Sequence, residues 1–350
     1  MMYFFSSDER SLYAEDVVDA VSLPTGLILH FRYRTKYIQD DLCAHLNDTK
    51  GKEGVIIFVN ARNPDGTPQK GNPRFFPIRK VTVTSYEQEG ERVHFFLELK
   101  DDLVDYSKNN SEYLQKFVEN LPNRPFRDAG KEFLTGKFVL NSDNDIGPTG
   151  YVDRTDEQKY RASWEDLVDR LLESLVNNVF YRIDLYKRDP RLFHDQSYKI
   201  EPSALGNELD KGFRIESGRE YYLKITYKHQ EKLVSKSGIP SLLLSDYNGI
   251  ITADQPRIDL GTVVDTQVRV IASKRSFANK RTSLQIKREN AEFHVVAIPF
   301  KVVLMPWLYS IFAFFFVGLI LGVLTRNLYW GIIGSGISTL ALFALQYFVK

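Results

Sequence analysis

Alternation of apolar and polar residues at period two opens the pattern. In GLILHFRYRTKYI, Gly26 to Ile38, it predicts a strand with one buried face. GVIIFVNAR, Gly54 to Arg62, is a continuous apolar run and predicts a second, more buried strand. RKVTVTSYEQEGERVHFFLEL, Arg79 to Leu99, predicts a β-hairpin turning near Glu89-Gly90, and SEYLQKFVENL, Ser111 to Leu121, a helix. The Pro, Asn and Gly stretch from Asn60 to Pro77 predicts a long loop. Residues 1–140 therefore read as a mixed α/β domain.

Turn formers and charge from Asn141 to Gln158 predict an exposed connector. Ser163 with Asp166 resembles a capping box at the start of an amphipathic helix in which Leu167, Leu171, Leu175 and Val179 recur at helical spacing. This connector and helix occupy 141–180. From 181 to 301 the pattern changes to short strands at even spacing (FYRIDLY, REYYLKITY, SLLLSD, GIIT, TQVRVIAS, TSLQIK, EFHVVAIPFKVV), which predicts an immunoglobulin-like sandwich or small barrel.

Two uncharged apolar stretches close the chain, Val302–Leu324 of 23 residues and Leu328–Val349 of 22. Roughly 20 such residues as helix cross the hydrocarbon core. Only Thr325, Arg326 and Asn327 separate them, so residues 302–349 are expected to form a transmembrane helical hairpin with aromatic residues at both interfaces. The N-terminus has no basic n-region followed by an apolar core, so no signal peptide is expected. Lys301 and Lys350 flank the hairpin, which places the 300-residue domain and both termini in the cytosol, beneath the inner membrane. The expected fold class is α+β: a mixed α/β N-terminal domain, a β-sandwich-like second domain and a C-terminal transmembrane α-helical hairpin.

Charge and composition narrow the chemistry. The chain carries 46 basic and 45 acidic residues. Removing the three basic residues of the last fifty leaves 43 against 45 in residues 1–300, net −2. That excludes a histone-like nucleic-acid binder, and 43% hydrophobic with 13% aromatic residues excludes a disordered chain. The single Cys43 excludes an intramolecular disulfide and any zinc site needing two thiolates from this chain. No phosphate loop, dinucleotide fingerprint, HExxH or nucleophile elbow is present. Asn141, Asp143 and Asp145 are spaced like part of an EF-hand, but Ile146 stands where glycine is required, so a polar loop is the reading there. Asp101, Asp102 and Asp105 read as a solvated turn or helix start rather than a metal site. No cofactor, metal or enzymatic activity is expected.

Two constellations remain. Period two puts His30, Arg32, Arg34 and Lys36 on one face of the first strand, opposite Leu29, Phe31, Tyr33 and Tyr37. Cations in a row repel one another unless an anion or acidic neighbours lie opposite. Arg74, Phe75, Phe76, Arg79 and Lys80 add a second basic and aromatic stretch. Guanidinium forks suit phosphate and aromatic rings stack bases, so an anionic nucleotide or short oligonucleotide is the expected ligand, against a solvent-facing strand paired with Glu or Asp. In the second apolar stretch Gly331, Ser335, Thr339, Leu342 and Gln346 share a helix face, opposite Gly318-x-x-x-Gly322 in the first; a ring of subunits, a tetramer by expectation, would line a pore with them, whereas a single pair would only hydrogen-bond between helices.

A β-rich domain joined to two apolar helices resembles the two-transmembrane membrane effectors of bacterial anti-phage signalling, the Hailong and CBASS systems. The order differs, since many CBASS-type effectors place the helices before the β domain. The resemblance implies an oligomeric ligand-gated ion channel in the bilayer, controlled by a nucleotide or oligonucleotide that a partner enzyme makes. The alternative is a membrane-tethered scaffold or adaptor whose β domain binds a protein partner.

Overall fold

The computed structural model describes residues 2–8, 11–60, 74–106, 138–142, 150–153, 155–175, 178–188, 197–207, 209–229, 241–246, 248–259, 265–272, 280–289, 295–303, 306–326, 329 and 332–333.

The first part of the chain builds one mixed sheet. Its strands are β1 (Met2–Asp8), β2 (Ile28–Arg34), β3 (Glu53–Asn60), β4 (Arg74–Glu89), β5 (Arg92–Val104), β6 (Val139–Ser142) and β7 (Tyr151–Val152). The order is β2-β5-β4-β3-β1-β6, with β7 beside β5. β1 and β3 run parallel, and β3 is buried from Gly54 onward, as its unbroken apolar run requires. β4 and β5 form the expected hairpin, with Gly90 at φ +60° in its turn. The sheet then curls until its edges meet. Just beyond β2, Ile38 bridges Val139 of β6, the Gln39 amide donates to the Val139 carbonyl at 2.9 Å, and the Phe138 amide donates to the Tyr37 carbonyl at 2.6 Å. Aromatic side chains fill the interior of such a small closed sheet. Phe5 meets Phe95 edge-on at 5.2 Å, and Tyr33 meets Phe95 at 6.2 Å.

Helix α1 (Ser11–Ser22) buries Val17, Val18, Ala20 and Val21 and packs on β1, β2 and β4. Helix α2 (Asp40–Ala44) is a short turn on the path from β2 to β3. Helix α3 (Glu157–Leu172) begins earlier than the sequence predicts. Asp156 is its N-cap and accepts from the Lys159 amide at 3.0 Å, whereas Ser163 is buried within the helix beside Tyr160, Trp164 and Leu167. The expected helix Ser111–Leu121 lies outside the described residues, as does most of the connector between β6 and α3. The predicted loop from Asn60 to Pro77 is corrected at both ends, because Asn60 closes β3 and Arg74 to Pro77 begin β4.

Residues 180–303 form two further sheets from β8 (Phe180–Arg188), β9 (Ser197–Ile200), β10 (Ser203–Ala204), β11 (Lys211–Glu216), β12 (Glu220–Lys228), β13 (Ser241–Asp246), β14 (Ile251–Ala253), β15 (Arg257–Asp259), β16 (Asp265–Ala272), β17 (Lys280–Arg288) and β18 (Val295–Val303). One has the order β14-β16-β12-β8-β9 and the other β10-β11-β18-β17-β13-β15. Each buries one face through alternate residues: Tyr221, Leu223 and Ile225 in β12, and Val296, Ile298, Phe300 and Val302 in β18. Helix α1 touches β8 as well, and the Tyr181 amide donates to the buried Ser22 hydroxyl at 3.1 Å. Helix α3 is tied to the same sheet by Lys228–Asp169 at 2.7 Å and Arg161–Asp265 at 3.1 Å. The buried residues of all three sheets belong to one apolar cluster.

The expected C-terminal architecture is corrected. Helix α4 (Pro306–Thr325) follows β18, and its side chains are described from Phe314 to Leu324, where Phe315, Phe316, Leu319, Val323 and Leu324 are exposed. Among the described residues no helix is long and apolar enough to cross a membrane. The expectation rested on apolar length alone. The described chain is three sheets and four helices, a β-rich fold rather than an α+β one closed by a transmembrane hairpin. The multi-pass inner-membrane location and the ion channel built on that hairpin are withdrawn with it. Gly331, Ser335, Thr339, Leu342 and Gln346, the proposed pore lining, lie outside the described residues.

Candidate ligand site

Strand β2 alternates without fault. Leu29, Phe31 and Tyr33 are buried, and His30, Arg32 and Arg34 are exposed. Its neighbour β5 does the same, with Val93, Phe95 and Leu97 inside and Arg92, His94 and Phe96 outside. The register sets Arg34 opposite Arg92, Arg32 opposite His94 and His30 opposite Phe96. Two antiparallel neighbouring strands therefore present arginines at one end of their outer face and aromatic rings at the other.

The rings form a short ladder. His30 lies 5.0 Å from His94 and 5.1 Å from Phe96 between ring centres, close to parallel with both. His30 Nε2 and His94 Nδ1 are 2.8 Å apart and share a hydrogen bond. Burial, then His94 and Arg32, holds His30 below the ordinary histidine value against the opposing pull of Glu87. The neutral form of His30 is therefore favoured at pH 7, and on β2 itself the expected row of cations reduces to Arg32 and Arg34.

Helix α1 supplies the opposite wall. Ser7, at the end of β1, donates its hydroxyl hydrogen to the Tyr13 carbonyl at 2.6 Å, which fixes the first turn. Tyr13 and Asp16 then face β2. Two hollows lie between helix and strand. The larger, about 290 Å³, is lined by Tyr13, Asp16, His30 and Arg32. The smaller, about 150 Å³, is lined by Tyr13, Arg32, Tyr33, Arg34 and Arg92. Tyr13 and Arg32 belong to both, so the hollows adjoin.

Electrostatics divides them. Arg32, Arg34 and Arg92 make no ion pair with a described residue, although Glu89 stands across β4 and β5 from Arg92. The smaller hollow thus gathers three guanidinium groups that pair with no acidic group among the described residues, a geometry suited to an oxyanion. The larger contains Asp16. Burial, then repulsion from Asp19 and Glu15, raises its carboxyl to about 7, with Arg32 opposing. Tyr33 lines the smaller hollow, its hydroxyl donating to the Ser6 carbonyl at 3.0 Å.

The other sequence-predicted residues lie elsewhere. Lys36 sits in the turn Thr35–Tyr37, its ammonium 4.9 Å from the Tyr37 ring centre, and lines neither hollow. Phe75, Phe76 and Arg79 are buried. Arg79 is a structural group: Nε donates to the Lys100 carbonyl at 2.7 Å, and Nη1 to the carbonyls of Leu23 at 2.8 Å and Ala20 at 3.2 Å. Lys80 pairs with Glu53 at 2.9 Å and lies 5.3 Å from the Tyr151 ring centre. The Arg74 side chain lies outside the described residues. Arg79 therefore holds the sheet to the end of α1, and neither it nor Lys80 lines the hollows beside β2. Of the aspartates, Asp105 is buried and receives the Ser163 hydroxyl at 3.4 Å and Lys159 at 3.4 Å. Among the described residues no group of three metal-ligating side chains occurs.

Sequence reasoning missed Tyr13, Asp16, Arg92, His94 and Phe96. The alternation of RVHFFLEL carried the last three, since every second residue of a half-buried strand points outward. Nothing local in the first helix marks Tyr13 or Asp16 as facing β2.

No family model matches the chain, and no curated protein matches it. Among solved structures, a Bacteroides ovatus GH5 xyloglucanase in complex with a XXXG heptasaccharide is similar over 27% of this chain and 17% of its own, at 9% identity and a TM-score of 0.20. The match spans about a sixth of that structure, and a likeness this small carries no argument about fold or activity.

Proposed function

We propose that the N-terminal sheet is a receptor for a small nucleotide, bound between α1 and the outer face of β2 and β5. The observation that carries this reading is the smaller hollow, where Arg32, Arg34 and Arg92 converge with no acidic partner among the described residues. Like charges directly across a strand pair repel, and an oxyanion between them relieves that repulsion. The size of the hollows favours a single nucleotide over a strand. At about 290 and 150 Å³ each lies below the usual range of ligand pockets, about 300–1,000 Å³, and only the two adjoining hollows taken together reach it. The net charge of −2 over residues 1–300 also favours a local site over an extended nucleic-acid track.

The placement of α1 gives binding a consequence. Tyr13 and Asp16 line the hollows at one end of the helix, and Ser22 accepts from β8 of the second sheet at the other. A ligand held jointly by α1 and β2 favours arrangements in which the two stay together, and β8 feels any shift of the helix. For the ligand to act as a signal it must bind one arrangement better than another.

The test is calorimetric titration of the full chain with GMP, AMP and inorganic phosphate, repeated on Arg34→Ala and Arg92→Ala. Each substitution is expected to weaken nucleotide binding about tenfold or more, since a charge-assisted hydrogen bond contributes roughly 1.5–3 kcal/mol. Unchanged affinity in both variants, or no binding of any of these ligands to the unaltered chain, rejects the receptor.

A further inference from the structure

The two hollows differ in the chemistry they ask of a ligand. The smaller offers donors from three arginines, and Tyr13 and Tyr33 complete its wall. The larger has a different balance. The Nε2 atom of His30 is already engaged by His94, and Arg32 faces both hollows. Among the described residues Asp16 is the one carboxylate lining it, and no hydrogen bond to Asp16 is made by a described residue. An ionised carboxylate only accepts, and its two oxygens suit two adjacent donors. The flat rings of Tyr13 and His30 beside it suit a planar partner.

We infer that this site is selective for guanine nucleotides: the phosphate lies in the arginine hollow, and Asp16 accepts from the N1–H and the exocyclic amine of the base. The inference rests on the receptor reading above and adds the identity of the base. Among the common bases guanine sets a ring N–H beside an amino group on its pairing edge, matching the two oxygens of a carboxylate. Adenine places an acceptor beside its amino group and leaves one carboxylate oxygen facing a lone pair. Hypoxanthine retains the N–H and lacks the amine. Asp16 is thus a specificity-determining residue, and Arg34 and Arg92 hold the phosphate whatever the base.

The discriminating experiment titrates the full chain with GMP, IMP, AMP and ribose 5-phosphate at pH 8, then repeats the series on Asp16→Asn. The expected order is GMP tightest, IMP intermediate, and AMP at least tenfold weaker than GMP. In Asp16→Asn the spread should collapse to about twofold, with AMP binding as tightly as before or more so because a negative charge near the phosphate is gone. Equal affinity for GMP and AMP in the unaltered chain overturns the inference and leaves the receptor standing. Ribose 5-phosphate binding as tightly as GMP does the same, as does an Asp16→Asn variant that weakens all four ligands equally, because Asp16 then serves the ribose. If none of the four binds, both proposals fall. The GMP-to-AMP ratio of the unaltered chain decides the matter even if the variant fails to fold.

Discussion

Arg34 and Arg92 are direct cross-strand partners on β2 and β5, two guanidinium groups facing the same side of one strand pair. Directly opposed like charges destabilise a sheet by roughly 0.2–1 kcal/mol. Their arrangement is a local cost to the empty protein that a bound anion removes.

Arg92→Gln should therefore raise the stability of the ligand-free chain by about 0.2–1 kcal/mol while weakening nucleotide binding. Urea unfolding at low salt checks the first effect, and the gain should shrink as salt screens the unaltered pair. Lower stability of the variant at every salt concentration would show that Arg92 has a structural partner instead.

Asp16 sets a pH dependence of known sign. Its folded value of about 7 lies above the ordinary 3.8, so the native state holds this proton more tightly than the unfolded chain does. The resulting stabilisation is fully present below the unfolded value and is lost as pH rises through about 7. Asp16→Asn cannot ionise there, so its unfolding free energy should vary less between pH 4 and pH 8, and at pH 8 it should exceed that of the unaltered chain. The guanine preference should move the other way, growing as pH rises through about 7, because only the carboxylate accepts from both donors. A variant with the same pH profile as the unaltered chain would dissociate Asp16 from both effects.

The sequence carried the strand half of this site and not the helix half, for a physical reason. A strand with one buried face writes its orientation into every second residue, so the sequence alone puts His30, Arg32 and Arg34 on one face. Which element covers that face depends on contacts distant along the chain. Tyr13 meets Arg92, and Asp16 meets His30, only because α1 packs against the sheet on the side of β2. The opposite error arose at Phe75, Phe76 and Arg79. Basic and aromatic composition read as a binding surface, whereas the aromatics are core and the guanidinium is occupied by backbone carbonyls. Length without charge likewise suggested membrane spans, yet among the described residues no helix is long and apolar enough for one.

Arg79 gives a prediction about coupling. Its donors hold the carbonyls of Ala20 and Leu23 at the end of α1, and of Lys100 on β5. Arg79→Met keeps much of the volume and strands those carbonyls, each at a cost of about 1–3 kcal/mol where water cannot reach them. A loss of about 3 kcal/mol or more is expected in chemical denaturation. Nucleotide affinity should also fall, although Arg79 lines neither hollow, because α1 carries Tyr13 and Asp16. Faster amide exchange along Ser11–Ser22, with β12 and β16 unchanged, would locate the effect in the helix. Uniform acceleration would show only global destabilisation.

The start of α3 separates two capping assignments. Asp156 accepts from the Lys159 amide, so Asp156→Ala should cost about 1 kcal/mol. Ser163 sits inside the helix with a long 3.4 Å hydrogen bond to Asp105, and alanine has the better helix propensity. Ser163→Ala should accordingly lie within about 0.5 kcal/mol of the unaltered chain, because the lost bond and the gained propensity oppose each other. Urea midpoints of the two variants settle the order. If Ser163→Ala proved the more damaging by a clear margin, the helix would begin where the capping-box pattern put it, and residues 157–162 would not be its first turns.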